Sequence, residues 1–302
     1  MGSLLSQRPV PTGYTPDLGE PIAGPDADLT RHAKRNLAMD LELAGKSVVV
    51  TGGSSNIGRA IVLQFAEEGA NITIGDIDHE AAEGVAALAM KQGAAGAQAI
   101  RTDVTDLAQV EAMCNAATRH YGTVDVLVNN VGWDQLMFFT QTTPEFWDKI
   151  VQLNYIGMLN CCKTVLDIMM PQHRGAIVSI SSDAGRQGEP REAVYGGIKA
   201  AINSVMKTLA KENGRYGIRC NAVCPGVTIP DDDEVGSHSM WVNKDAMFTS
   251  EQLERVAKAL PLKKVGRPQD IANAVVFLAS AKRAGHITGQ VLSVSGGYSM
   301  VG

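Results

Sequence analysis

The 302-residue chain has no apolar run near the roughly 20 residues needed to span a bilayer. Its start, MGSLLSQRPVPTGY, carries no long apolar core after the first positive charge, so a secretory leader is not expected. Positive charge is short: 27 Lys and Arg against 32 Asp and Glu leave a net charge of -5. That balance gives no electrostatic reason to bind nucleic acid or an anionic membrane surface. Cysteine is sparse and odd in number. Cys114, Cys161, Cys162, Cys220 and Cys224 lie mostly within apolar segments, as buried thiols do in reducing compartments. Cys220 and Cys224 are four apart, but no matching His or Cys pair completes a zinc site. These absences point to a cytoplasmic protein with no membrane span, no nucleic-acid partner and no structural metal. What the chain does have is apolar mass, 45% of its residues, enough for one large core with a small appendage.

Residues 1–43 differ from the rest. Pro9, Pro11, Pro16, Pro21 and Pro25, with Gly13, Gly19 and Gly24, exclude regular structure up to about Asp26. Asp28 then suits the cap of a short helix with Leu29, Ala33 and Leu37 on one face. The extension fits either a frayed tail or a segment lying along its own or a neighbouring subunit. From Lys46 onward strands and helices alternate. Strands are expected at Ser47–Thr51, Asn71–Gly75, Ala97–Arg101, Val124–Val128, Gly175–Ser181, Ile218–Val223 and Gln290–Val294. Helices are expected at Arg59–Gly69, Ala81–Gln92, Leu107–Tyr121, Pro144–Met169, Ala193–Asn213 and Pro268–Ser280. Buried strands separated by helices imply an α/β domain over residues 44–302. It is a single doubly wound parallel sheet of the Rossmann type, with helices on both faces.

Two stretches carry chemistry. Thr51-Gly52-Gly53-Ser54-Ser55-Asn56-Ile57-Gly58 joins the first strand to the first helix, where backbone amides and a helix N-terminus can hold a pyrophosphate. Asp76 follows Gly58 by eighteen residues at the end of a strand, where it can bond both hydroxyls of an adenosine ribose. No Arg or Lys stands at 53–56 or 77–78 to meet a 2′-phosphate, so NAD is expected over NADP. The second stretch is SDAGRQGEPREAVYGGIK, Ser182 to Lys199. Tyr195 and Lys199 are four apart and so share one helix face. An ammonium beside a phenol favours the phenolate and draws its pKa toward the working range. Ser182, thirteen residues before Tyr195 at a strand's end, can bond the same substrate oxygen.

TGGSSNIG, Asp103-Val104, Asn129-Asn130-Val131-Gly132, Asn154, Ser182, Tyr195-x-x-x-Lys199 and Pro225-Gly226 occur in one order. Together they resemble the short-chain dehydrogenase/reductase family, from about Leu43 to Gly302. The resemblance implies an NAD-dependent oxidoreductase that interconverts a secondary alcohol and its ketone. Tyr195 would be its general acid/base, and Lys199 would lower the tyrosine pKa and bind the nicotinamide ribose. Ser182 would orient the substrate oxygen, and Asn154 would hold a water linking Lys199 to solvent. Asp103 would bond the adenine edge while Val104 packs on it, and Asn129 would stabilise the central strand. The cofactor would also meet Gly52, Ser54, Ser55, Asn56, Ile57, Gly58, Asp76, Ile77, Asn130, Gly132, Pro225, Gly226 and Thr228. The family also implies a homotetramer, with the segment from Gln290 to Gly302 completing it.

The chain departs from the family's wording at Asn56, where glycine is usual, and at Val131, where alanine is. Asparagine tolerates left-handed backbone, so the turn can survive. Gly196 and Gly197 weaken the catalytic helix by roughly 1 kcal/mol each against alanine, which implies a close approach by the cofactor or a facing helix. Substrate contacts are expected from Trp133, Asp183, Gln187 and, in a lid spanning about 227–260, Trp241. Met240, Met247 and Phe248 of that lid favour a cyclic or bulky apolar alcohol. Several stretches are similar to the alicyclic alcohol dehydrogenases, 2-hydroxycyclohexanecarboxyl-CoA dehydrogenase among them. A CoA thioester would face Asp231, Asp232, Asp233 and Glu234, with Arg186 and Arg191 as its candidate counter-charges.

Overall fold

The computed structural model describes residues 39–236, 242 and 249–301. The helix expected after Asp28 and the lid residues Met240, Trp241, Met247 and Phe248 lie outside the described residues. Leu41–Gly302 forms one compact unit. Its first residues already belong to the body, because Leu43 is buried and the Leu41 carbonyl accepts from the Ser280 hydroxyl at 2.7 Å.

Seven parallel strands form one sheet among the described residues. They are β1 (Ser47–Thr51), β2 (Asn71–Asp76), β3 (Gly96–Arg101), β4 (Val126–Asn129), β5 (Gly175–Ile180), β6 (Ile218–Pro225) and β7 (Val291–Val294). Their order is β3-β2-β1-β4-β5-β6-β7, the doubly wound arrangement expected from the alternation of elements. β1 shows why the strands read as unbroken apolar runs. Val48 and Val50 enter the core on one face and Val49 the core on the other, so a period of two disappears.

Helices cover both faces. On one side pack α1 (Asn56–Glu67), α2 (His79–Gln92) and, late in the chain, Pro268–Ala279, through Ile61, Phe65, Val85, Ile271 and Val275. The other face carries α3 (Leu107–Tyr121), α4 (Pro144–Val151), α5 (Gly157–Gln172) and, beyond the short α6 (Ala184–Gln187), α7 (Ala193–Asn213). Met113, Met158, Val165, Ile202 and Met206 fill the core beneath them. Start signals act where they stand: Asp78, Asp106 and Thr143 each accept from backbone N–H groups at the openings of α2, α3 and α4. Among the described residues no helix is long and apolar enough to cross a membrane.

One element departs from its expected form. The helix expected from Pro144 to Met169 is interrupted by a π-helical turn, Gln152–Ile156, between α4 and α5. The Asn154 side chain donates to the Ile150 carbonyl at 3.0 Å, taking an acceptor that the regular ladder would use. The last turn runs on to Gln172 with Pro171 inside it and closes on His173 in the left-handed region.

Candidate active site

β1 and β4 are neighbours from which the chain winds outward in opposite directions, and ligands of such sheets bind at the carboxyl ends of these strands. There residues 52–55 turn the chain from β1 into α1. Its glycines leave no room for side chains: a Cβ on Gly58 would lie 1.9 Å from the Gly52 carbonyl oxygen. Asn130 staples it by donating from Nδ2 to the carbonyls of Gly52 (2.8 Å) and Thr51 (3.2 Å). Asn56 adopts φ +48°, the left-handed backbone that asparagine was expected to bear. α1 opens after Ser55 with no side-chain cap and no acid in its first turn, so its leading N–H groups are available to an anion. Asp76 flanks the turn, accepting from the backbone N–H of Ser54 (3.0 Å) and of Asp78 (3.1 Å). Ile77 is exposed beside it. The β2–β3 register sets Arg101 opposite Asp76, a cation that the local motif does not reveal.

Further along, Asp103 accepts from the backbone N–H and the hydroxyl of Thr105 at 2.9 and 2.7 Å. Val104 is buried and packs against Gly157, where a Cβ would come within 2.5 Å of Val104 Cγ2. Asn129 donates to Ser179 Oγ (3.1 Å) and Cys162 Sγ (3.3 Å), tying β4 to β5 and α5. Across the sheet, the Gly226 N–H donates to the Val294 carbonyl at 3.2 Å just beyond Pro225, and buried Thr228 donates to the Gly226 carbonyl at 3.2 Å.

Ser182, Tyr195 and Lys199 come together between β5 and α7. Lys199 is 2% exposed, donates from Nζ to the Ile180 carbonyl at 3.0 Å, and stands 5.2 Å from the Tyr195 ring centre. The Ser181 hydroxyl donates to the Lys199 carbonyl at 2.9 Å, which fixes the helix to the strand end. Ser182 shares a hydrogen bond with the Tyr195 hydroxyl and accepts from the Ala184 N–H at 3.1 Å. Glycines allow the fit: a Cβ on Gly185 would lie 2.6 Å from the Ala200 nitrogen, and one on Gly196 would lie 2.9 Å from the Ala184 oxygen. The close approach expected at Gly196 is therefore that of α6, while a Cβ on Gly197 would meet nothing within 4 Å.

Asn154 reaches this group from the π turn. Its Oδ1 accepts from the Trp133 N–H (3.2 Å), and its Nδ2 donates to the carbonyls of Trp133 (2.8 Å) and Ile150 (3.0 Å). Both donors are used on backbone, so the side chain braces the loop. Gly132 lies at the centre of the arrangement, where a Cβ would sit 3.0 Å from Asn154 Oδ1 and 3.3 Å from Lys199 Nζ.

The electrostatics differ from the simple pairing expected. Burial raises the Tyr195 pKa well above its ordinary value, the charges of Glu192 and Asp134 raise it further, and the Ser182 hydrogen bond only partly opposes them. Burial pushes the Lys199 ammonium down to about 8, while neighbouring Cys224 and Asp134 hold it up. Asp134 is raised to about 6 by burial, and Glu192 to about 7 by burial and by the charges of Asp134 and Glu189. Burial around the phenol sets the direction of its shift.

The expected substrate residues divide. The Trp133 ring packs on α4, with the Lys149 ammonium 3.6 Å from its centre and Phe146 edge-on at 6.1 Å. Asp183 does not face a substrate: it is 1% exposed, accepts from Arg186 at 3.2 Å and accepts from the Ser293 hydroxyl at 2.8 Å. Gln187 is exposed on α6 and hydrogen-bonds the Tyr298 hydroxyl, which donates to Glu189. Arg186 also donates to the Val301 carbonyl, and Arg191 donates to the Leu136 carbonyl at 3.1 Å. Neither guanidinium is the open counter-charge considered for a CoA thioester. At the lid's start, Glu234 pairs with Arg59 of α1 at 3.0 Å, and a Cβ on Gly236 would lie 2.7 Å from Ser55 Cβ. The lid's first residues thus touch the glycine turn.

A protein-family model described as Enoyl-(Acyl carrier protein) reductase matches residues 52–299. The chain is 37% identical over 256 residues to a 3-oxoacyl-(acyl-carrier-protein) reductase of Staphylococcus aureus, covering 84% of this chain and 98% of that protein. It is 37% identical over 262 residues to the Chlamydia muridarum protein of the same description, covering 86% and 100%. It is 36% identical over 259 residues to a 3alpha-hydroxysteroid dehydrogenase of Mediterraneibacter gnavus, covering 85% and 98%. The chain belongs to the short-chain dehydrogenase/reductase family and is an oxidoreductase of that family.

That family binds a nicotinamide cofactor, and the residues present fit one. The glycines of the 52–58 turn leave no room for a Cβ, α1 presents uncapped N–H groups with no acid in its first turn, and a carboxylate stands at the end of β2. Sequence reasoning missed the weight of Glu192, the placement of Arg101 and the Arg59–Glu234 pair. Each depends on contacts between residues far apart in sequence or on depth of burial, neither of which local spacing encodes.

Proposed function

We propose that the protein is an NAD(H)-dependent short-chain dehydrogenase that interconverts a cyclic or bulky secondary alcohol and its ketone. The observation that carries this reading is the grouping of Ser182, Tyr195 and Lys199 beside Gly132, on the same sheet edge as the glycine turn. When bound, the dinucleotide supplies or takes the hydride. It would be held by residues 52–58, Asp76, Asp103, Asn130, residues 225–228 and Lys199. Tyr195, kept neutral by its surroundings, gives its proton to the oxygen of a ketone undergoing reduction. Ser182 orients that oxygen, and Asn154 keeps the Trp133 loop against Lys199.

NAD is favoured over NADP by Asp76, because a 2′-phosphate would approach a carboxylate already held toward the glycine turn. Arg101 supports the opposite preference, so NADH and NADPH are to be titrated side by side. An acyl thioester substrate finds support in the names of the relatives and none in Arg186 or Arg191, both of which are engaged. The assembly we infer is a homotetramer, supported by an exposed apolar surface of Leu262, Leu292, Tyr298, Met300 and Val301 near the carboxyl terminus.

The test is turnover by the purified protein on three panels: free cyclic alcohols, hydroxyacyl-CoA thioesters and 3-oxoacyl thioesters of acyl carrier protein. The reading predicts NADH-linked turnover on the first panel. Turnover confined to either thioester panel contradicts it.

A further inference from the structure

Ser182 leads into α6, a single helical turn too short to hold its own shape. The Ala184 N–H, at the opening of that turn, donates to Ser182 Oγ at 3.1 Å, so the serine hydroxyl is aimed by whatever fixes α6. Asp183 lies between them and is tied on three sides. Its N–H donates to the Pro225 carbonyl at 3.0 Å, which joins the turn to the end of β6. Its buried carboxylate has a separate donor at each oxygen: Arg186 at 3.2 Å for Oδ1 and the Ser293 hydroxyl at 2.8 Å for Oδ2. Both donors lead to the end of the chain. The Arg186 guanidinium, itself largely buried, reaches the Val301 carbonyl. The Ser293 hydroxyl stands 2.8 Å from that of Ser295, which accepts from the Ser299 N–H at 3.4 Å. Two residues past Arg186 along the same stretch, Glu189 accepts from the Tyr298 hydroxyl after the bend at Gly188. On the opposite side α6 abuts α7 through Gly185 and Gly196, which leave no space for a Cβ. The turn after Ser182 is thus held between the catalytic helix and the carboxyl-terminal segment.

We propose that Asp183 is a positioning residue of the reaction: held by Arg186 and Ser293, it sets the turn that aims the Ser182 hydroxyl beside Tyr195. The segment from Ser293 to Val301 then belongs to the frame of the active site and acts on the reaction through Ser182. This deepens the dehydrogenase reading above and rests on it. A carboxylate and a guanidinium taken out of water lose in hydration about what their attraction returns, so such a pair is a poor source of stability. The use left to it here is to fix one geometry, and the geometry that it fixes is that of the residue next to Ser182.

The test compares the full chain with Arg186→Met, Arg186→Lys and Ser293→Ala in three measurements: steady-state turnover of the substrate that the panels above select, NADH titration, and crystal structures. Arg186→Met is expected to lower kcat about tenfold or more while KM and the Kd for NADH stay within about twofold, and Arg186→Lys to recover about threefold of that loss. Ser293→Ala leaves the ion pair in place and should lower kcat about threefold; it decides the matter if Arg186→Met does not fold. In the crystal structure of a slowed variant, Ser182 Oγ should no longer lie within hydrogen-bond distance of the Ala184 N–H. Unchanged kcat in the folded variants overturns the proposal. So does a slowed variant with Ser182 in its wild-type place, or a rise in KM with kcat intact. The underlying reading fails separately: a wild type without NADH-linked turnover on any panel sinks the dehydrogenase, and the place of Ser182 in the variant crystals still decides whether Asp183 positions it.

Discussion

Tyr195 holds its proton chiefly because it is buried, and the acids that add to this effect carry a cost of their own. For Asp134 the folded-state pKa, about 6, lies above the ordinary 3.8, so folding favours the protonated form. The sign follows from proton linkage: the favourable contribution is full below about pH 4, fades up to about pH 6 and is absent above it. The charged group then weighs against the fold by on the order of 3 kcal/mol. Asp134→Asn removes that charge. Its melting temperature by scanning calorimetry should exceed the wild type's at pH 8, with the gap closing toward pH 4. A gap of the same size at both pH values would contradict the assignment. Groups facing Asp134 that enter the same curve are Lys199, Glu192 and Tyr195, with Glu189 acting through Glu192. Spacing alone made the Tyr195–Lys199 pairing legible. It did not reveal that the phenol is raised, because burial decides the direction, with Glu192 and, on a separate loop, Asp134 adding to it.

At the scale of elements, the site depends on how closely α6 and α7 pack. Gly185 of α6 lies against Lys199 and Ala200 of α7, with no space for a Cβ. Gly185→Ala should push the catalytic helix away from β5 and lower kcat at least tenfold while leaving the Kd for NADH within about twofold. Steady-state kinetics beside an NADH titration would check this, and an unchanged kcat would show that the contact relaxes harmlessly. Strand and helix order was legible because β-branched runs and capping residues act locally: the boundaries of α3 and α7 match their patterns. The π turn at Gln152–Ile156 was not legible, since it depends on the Asn154 side chain reaching both Ile150 and Trp133. Asp183 was misread for a related reason. It stands in a recognisable stretch, but Ser293, with Arg186, takes its carboxylate.

Viewed whole, the molecule is a parallel sheet whose switch between β1 and β4 brings a glycine turn and a Ser–Tyr–Lys group to one edge. Its doubly wound order could be read from alternation because strands buried on both faces must be covered by helices. Trp241, the remaining expected substrate contact, lies outside the described residues. The proposed homotetramer should show four chains per particle by light scattering, and a stable monomer would contradict it; Leu262 and Met300 are exposed apolar residues open to such association. The central claim is that Tyr195 moves the proton in a nicotinamide-linked oxidation and reduction. Its most direct measurement is the change in NADH absorbance with cyclic ketones and alcohols, comparing wild type and Tyr195→Phe at matched NADH occupancy. The account predicts turnover by the wild type and a loss of at least a thousandfold in the variant, with NADH still bound. Turnover retained in Tyr195→Phe would contradict it.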